Sequence, residues 1–308
     1  MKDIRYSLII PHYNIPDLLE RCLRSVPERN DLQTIVVDDH SPENCKEALH
    51  RIENLFPHVS FVYCETNGGA GKARNIGMEK AEGRYLIFAD ADDYFSEEFP
   101  TILDRCKGST EDIIFFRYIG VLESLSSKDF NQNIWGNEIM DRYFKTHIED
   151  ELRCSLIQPW GRFYKRTFIQ ENNLYFEEIP FSNDYYFVVS AGCKAGQIKV
   201  EDCVLYYYVR RDGSLTSSYN KKPNELEIRA AACFRGQKIM KQYGYKFHFM
   251  PMTSFLSTMF HTNKKLYRHY LKMAHEVYSS KWDAVKQVVW WENGWLPKLK
   301  ILAYSIFC

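Results

Sequence analysis

No stretch of this 308-residue chain approaches the roughly 20 consecutive apolar residues that cross a bilayer, which argues against an integral membrane protein. Neither charge is in excess. Forty Lys and Arg balance forty Asp and Glu, so no global field draws the chain to nucleic acid. CxxC pairs are missing and the nine cysteines are scattered, which argues against a zinc site. The start, MKDIRYSLIIPHYN, runs directly into a strand-like stretch with no apolar leader, so the expected location is the cytosol, with reduced and mostly buried thiols. The GxGxxG and GxxxxGK[ST] phosphate fingerprints are absent too. Gly68-Gly69-Ala70-Gly71-Lys72 has glycines and a lysine, but neither the P-loop spacing nor the following Ser or Thr.

What is present is an alternation of short apolar runs with helical patterns. Residues 6–10 form an apolar run stopped by Pro11, and Ile15, Leu18, Leu19, Cys22 and Val26 then recur at helical spacing. Further strands are predicted at 34–37, 59–63 and 85–89, with helices over 43–55 and 70–82, the latter ending at Gly83. This pattern predicts an α/β fold, a doubly wound and mostly parallel sheet flanked by helices, with ligands bound outside the carboxyl ends of its strands.

Two of these strands end in acids. Asp38-Asp39 follows the second, and Asp90-Ala91-Asp92-Asp93 follows the fourth. Three carboxylates within four residues repel one another, and a hard divalent cation such as Mg²⁺ or Mn²⁺, shared with substrate phosphates, removes the repulsion. The alternative is an Asp-rich turn capping a helix that begins near Ser96. Asp38 and Asp39 have a similar pair of readings, as recognition groups for a ribose or base, or as turn and N-cap residues of the next helix.

Taken in order, SLIIPHYN, IVVDDHSPE and NGGAGKARNIGMEKAEGRYLIFADADD resemble the nucleotide-sugar-binding half of the inverting GT-A glycosyltransferases of family 2, the group that builds bacterial surface polysaccharides. The likeness is close over residues 4–95 and looser over 155–218. It implies a Rossmann-like GT-A domain over 1–220, with a nucleotide-sugar half at 1–95 and an acceptor half at 96–220. It also implies that Asp39, with Asp38 beside it, recognises the uracil of a UDP-sugar. Asp90 and Asp92 match the metal-binding DxD motif, Asp92 being the expected direct ligand, and Arg74 and Asn75 match an ARN segment near the nucleotide. Pro11, Tyr13, Asn67, Gly69, Lys72 and Ala91 complete the nucleotide-binding set that the resemblance implies.

The acceptor half carries three further segments. A strand is predicted at 112–117, and residues 121–137 read as a polar loop. Pro159-Trp160-Gly161-Arg162-Phe163-Tyr164-Lys165-Arg166 is similar to the family's entry to the acceptor half, where Trp160 would stack on a sugar or pack in the core. Inverting transfer needs a base for the acceptor hydroxyl. The family commonly places Glu-Asp there; here Asp184 matches the base and Asn183 stands where Glu is usual, an acceptor-side position as well. Read alone, Asn183-Asp184 is a helix N-cap. A strand over 200–209 leads to Arg210, Arg211 and the run DGSLT, similar to a mobile family loop whose arginine faces the diphosphate.

Beyond residue 220 the pattern turns helical, with helices predicted over 223–243 and 264–278. Residues 281–308 carry Trp282, Trp290, Trp291 and Trp295 among leucines, isoleucines and lysines. That stretch suits a membrane interface, packing on the catalytic domain, or a homodimer contact. The expected activity is therefore a metal-dependent transfer of sugar from a UDP-sugar to a glycan or lipid-linked glycan, with the enzyme in the cytoplasm and peripheral on the inner membrane. The competing readings are a nucleotidyltransferase acting on a sugar phosphate, and a non-catalytic nucleotide- or glycan-binding module.

Overall fold

The computed structural model describes residues 3–122, 135–210, 224–245 and 252–306. The chain divides into two compact units, Met1–Tyr219 and Asn220–Cys308.

The first unit is built on one eight-stranded sheet. In chain order its strands are β1 (Tyr6–His12), β2 (Leu32–Asp38), β3 (Val59–Tyr63), β4 (Tyr85–Phe88), β5 (Tyr94–Phe95), β6 (Ile113–Leu122), β7 (Arg162–Lys165) and β8 (Ile198–Arg210). They lie side by side as β3-β2-β1-β4-β7-β6-β8-β5. Strands β3, β2, β1 and β4 run parallel, as the alternation predicts. Mixing enters with β7, antiparallel to both β4 and β6, and with β5, antiparallel to β8. The chain passes outward from β1 to β2 and β3 and then returns to the other side of β1 for β4. The order therefore reverses at β1, and a crevice opens outside the carboxyl ends of β1, β2 and β4.

Helices cover both faces. Alternate residues of β1 divide between two cores: Leu8 and Ile10 pack on one face, Ile9 on the other. On the first face lie α1 (Pro16–Arg24), α2 (Lys46–Leu55) and α4 (Phe99–Arg105), through residues such as Leu19, Ile52 and Ile102. On the second lie α3 (Gly69–Lys80), α5 (Trp135–Thr146), α6 (Asp150–Ser155), α7 (Arg166–Glu171) and α8 (Tyr185–Lys194), through residues such as Ala73, Met140, Leu152, Ile169 and Phe187. Burial on both faces is why the strands read as unbroken apolar runs.

Three expectations need correction. Helix α3 stops at Lys80, two residues short of Glu82 and three before the glycine taken as its end. The segment 121–137 is not wholly a loop: β6 continues through Leu122 and α5 begins at Trp135, while 123–134 lie outside the described residues. The helix expected near Ser96 begins at Phe99, because the Ser96 hydroxyl donates to the Val204 carbonyl and its own carbonyl accepts the Phe99 amide.

The second unit holds α9 (Glu225–Gln242), α10 (Met252–Thr262), α11 (Lys264–Lys272), α12 (Lys281–Trp291) and α13 (Trp295–Ile306). Helix α10 was not expected, and the helix predicted over 264–278 ends at Lys272, followed by one 3₁₀ turn.

Helix α3 fits closely on β1, where a Cβ at Gly77 would overlap the Cγ2 of fully buried Ile9. Gly77→Ala should therefore cost about 1–3 kcal/mol of stability by overpacking, read as a lower denaturation midpoint with an unchanged slope.

Candidate active site

Five carboxylates stand at the carboxyl ends of β2 and β4, and the structure gives them different tasks. Asp38, the last residue of β2, is buried. Its Oδ1 lies 2.7 Å from His12 Nδ1 and accepts from the Ser41 hydroxyl at 2.6 Å, while Oδ2 accepts the Ser41 amide at 2.9 Å. The Ile15 amide donates to His12 Nε2; a backbone N–H can only donate, so the imidazole proton sits on Nδ1 and points at Asp38. Burial alone would raise the Asp38 pKa, but bonds from His12 and Ser41 outweigh it and hold the carboxyl below its usual value. Asp38 thus ties the loop after β1 to the loop after β2.

Asp39 faces the other way, as adjacent residues leaving a strand do. Its Oδ1 and Oδ2 accept the amides of Gly68 and Gly69 at 2.8 and 2.7 Å, and Asn67 donates its side-chain amide to the Asp39 carbonyl. The carboxylate thereby caps the first turn of α3, which Gly69 enters at a φ of +83°. Each oxygen keeps a second lone pair for a ligand. Lys72 folds back against Gly68, where an added Cβ would overlap its Cδ. Pro11 is buried in the strand end, and Tyr13 is exposed beyond it.

The Asp90 cluster separates three ways. Asp90 is partly open, with its Oδ1 2.5 Å from Arg74 Nη2. Asp92 lies half-buried on the turn after Ala91, which is itself buried, and its backbone carbonyl accepts from Arg21. Asp93 is enclosed: Tyr206 donates to its Oδ2 at 2.9 Å and the Val209 amide to its Oδ1 at 2.8 Å. Burial, then the neighbouring charges of Asp90 and Asp92, raise the Asp93 pKa. The Tyr206 hydroxyl also accepts the Asp90 amide, so one phenol on β8 fixes both ends of the turn. Asp90 and Asp92 are left as the oxygen donors able to hold Mg²⁺ or Mn²⁺. Among the described residues no group of three potential protein ligands gathers.

Arg74 reaches across the crevice. Its Nη1 donates to Asn183 Oδ1 at 2.9 Å while Nη2 holds Asp90, and its guanidinium lies 5.3 Å from the centroid of Phe176. Gly71, one turn earlier on α3, makes the approach possible: an added Cβ would overlap the Glu177 carbonyl oxygen and come within 3.1 Å of Asn183 Cβ. Asn75 is taken up structurally, exchanging two bonds with the Phe176 backbone at 2.8 and 2.9 Å. Asp184 follows Asn183 and occupies the N-cap position of α8, with no side-chain capping bond. Ser182, just before, takes a φ of +55°, a conformation unusual outside glycine and held here at the site.

One expected contributor is placed otherwise. Trp160 is buried, stacked against Tyr206 and Tyr208 at 5.1 and 5.4 Å with Tyr118 edge-on at 4.7 Å, so it is a core ring with no open face for a sugar. Arg210 is exposed at the end of β8, and Arg211 with the run DGSLT lies outside the described residues. His12, Ser41 and Tyr206 are the supporting residues that sequence reading missed; His12 alone carried a signal, standing next to the Pro11 that stops the first apolar run.

The model of Glycosyl transferase family 2 matches residues 7–172, more than half of the chain. This chain belongs to glycosyl transferase family 2. The family 2 chain is 26% identical over 233 residues to the poly(ribitol-phosphate) beta-N-acetylglucosaminyltransferase TarS of Staphylococcus aureus, covering 72% of this chain and 39% of TarS. With the uncharacterized glycosyltransferase EpsJ of Bacillus subtilis it shares 28% identity over 219 residues, 68% of this chain and 62% of EpsJ. It therefore spans about two fifths of TarS and about three fifths of EpsJ. The fold of S. aureus TarS 1–349, solved in complex with UDP-GlcNAc, superposes with a TM-score of 0.64 at 20% identity, covering 99% of this chain and 89% of that one. A mannosyltransferase from Pyrobaculum calidifontis, solved with GDP-Man and Mn²⁺, gives a TM-score of 0.51 at 12% identity, covering 98% and 86%.

Because the Asp38 pKa is lowered in the fold, its contribution to stability is complete above the ordinary carboxylate value of 3.8 and is lost as pH falls through the folded value. Asp38→Asn should be less stable at neutral pH and lose stability less steeply than the parent below about pH 4, as followed by denaturant titration across pH.

Proposed function

We propose that this chain transfers a sugar from a UDP-sugar to a hydroxyl of a glycan or lipid-linked glycan acceptor, inverting the anomeric centre, in the synthesis of a cell-surface polysaccharide. The observation that carries the reading is the buried Arg74, which holds Asp90 of the donor side and Asn183, next to Asp184, of the acceptor side. One side chain thus bonds to a member of the donor-side acid cluster and to the neighbour of the proposed base.

In this mechanism the uracil and ribose lie against the Asp39 loop, with Asp39 using its remaining lone pairs and Asn67, Gly69 and Lys72 beside it. Asp90 and Asp92 would hold Mg²⁺ or Mn²⁺, which when bound offsets charge gathering on the UDP leaving group. Asp184 takes the proton of the acceptor hydroxyl as that oxygen attacks the anomeric carbon from the face opposite the diphosphate. Arg74 keeps Asp90 oriented and fixes the Asn183-Asp184 turn, and Arg210 or Arg211 adds charge for the diphosphate. A contact of residues 281–308 with the cytoplasmic face of the inner membrane would keep the enzyme where a lipid-linked acceptor resides. TarS, solved in complex with UDP-GlcNAc, supports a UDP-sugar as donor, and the P. calidifontis complex supports a metal.

Calorimetry of a nucleotide-sugar panel with and without Mn²⁺, together with an assay of free UDP, tests the donor. Metal-dependent binding of one UDP-sugar is expected, and binding of no UDP-sugar would sink the assignment of Asp39. Asp92→Asn should lose the metal-dependent part of that binding. Asp184→Asn should keep donor binding while transfer falls by about 10²–10⁴-fold; transfer at the parental rate would remove Asp184 as the base.

A further inference from the structure

The second unit carries a surface that the transfer chemistry does not use. At about 100° per residue, Trp295, Leu299, Leu302 and Ile306 of α13 fall on one stripe about 60° wide, and all four are exposed. The opposite side of the helix is packed: Ile301 and Ser305 are fully buried, and the Ser305 hydroxyl lies 2.8 Å from that of Tyr267. Trp290, at the end of α12, is 74% exposed and Trp295 is 72% exposed, far more than core indoles permit. Lys298 lies about 40° beyond one edge of the stripe, and Lys300 about 100° beyond the other, on the side of the groove. No helix among the described residues is long and apolar enough to cross a membrane, so α13 is suited to lying along a surface.

Beside the stripe is an open groove of about 570 Å³ between α10, α11 and α13. It is lined by Phe260, His261, Lys264, Lys300 and Tyr304. Lys264 Nζ lies 2.8 Å from the centroid of Phe260 and 4.7 Å from that of Tyr304, and the Arg268 guanidinium is 4.9 Å from Tyr304. The carboxylate nearby, Glu292, accepts from Ser257 and lies 3.0 Å from His261 Nε2, so it is turned to α10. The charge is also uneven along the chain. Residues 252–306 hold eight Lys and Arg against three Asp and Glu, a net charge of +5 in a chain whose total is zero. Apolar and aromatic side chains directed to solvent, a lysine at their margin and a cationic groove alongside match an anionic bilayer in both hydrophobicity and charge.

The geometry points to α13 and the Lys264–Lys300 groove as a docking site for anionic phospholipid, the stripe entering the interface and the groove receiving a lipid phosphate. This inference rests on the reading of residues 281–308 as a membrane contact and is independent of the identity of donor or acceptor. A second copy of the chain could cover an apolar stripe, but it would bring the same positive charge to the groove.

The test is co-sedimentation of the full chain with phosphatidylcholine vesicles and with phosphatidylcholine–phosphatidylglycerol vesicles, with tryptophan emission recorded in parallel. Binding is expected only to the anionic vesicles, with emission moving to shorter wavelength. The double variant Lys264→Ala, Lys300→Ala should bind them about tenfold more weakly. Leu299→Asp with Ile306→Asp should abolish the emission shift. Calorimetric binding of the nucleotide sugar must stay at the parental level in both variants, which separates lost docking from lost fold and from failure of the donor assignment. Equal binding to neutral vesicles, or parental binding by either variant, would overturn the site. So would a chain that is dimeric without vesicles and becomes monomeric on Leu299→Asp, since the stripe would then be a subunit contact.

Discussion

A carboxylate that follows a buried strand has lost water on the sheet side, and it must be met by donors or shed its charge. Asp38, Asp39, Asp90 and Asp93 all stand in that position, and much of the crevice is built from the groups that meet them. His12 and Ser41 serve Asp38, the first amides of α3 serve Asp39, Arg74 serves Asp90, and Tyr206 with the Val209 amide serves Asp93. The donors come from β1, the loop after β2, α3 and β8. Satisfying the acids therefore joins the loops after β1 and β2 to α3, and the turn after β4 to β8. The bonds that satisfy the acids are the bonds that shape the crevice.

That economy explains why some positions were legible in the sequence and others were not. The parallel strands could be read because burial on both faces leaves unbroken apolar runs, and β1 to β4 fall where those runs are. The acids could be read as a group because they sit where the runs stop. Their individual tasks could not. Whether Asp38 or Asp39 turns inward depends on His12, 26 residues before Asp38, and on Gly68, 29 residues after Asp39. Asp93 is removed from the open set by Tyr206, 113 residues away. Contacts at that separation leave no local periodicity. Trp160 shows the same limit in reverse: its type suits a sugar face, but Tyr206 and Tyr208, two residues apart on one face of β8, have already covered it.

The likeness to family 2 named the segment at 183–184 as functional, and the structure adds how it is held. Gly71 belongs to a glycine-rich run that suggests phosphate binding, but its missing side chain is filled by the Glu177 backbone and Asn183. The absence of a Cβ serves the meeting of two halves of the unit. Asn75 does likewise, pinning Phe176 so that the following residues return to the crevice.

Asn183 stands where the family commonly has an acid, and the exchange changes how charge is shared. An amide oxygen accepts from Arg74 without neutralising it, so among the described residues that guanidinium forms its ion pair with Asp90, one charge against one. For the metal proposed at Asp90 and Asp92, this means that a bare divalent ion approaches a carboxylate already balanced by a neighbour of its own sign. The diphosphate would bring the negative charge that this pairing withholds. On these terms the proposed ion would be held more strongly with the nucleotide than without it.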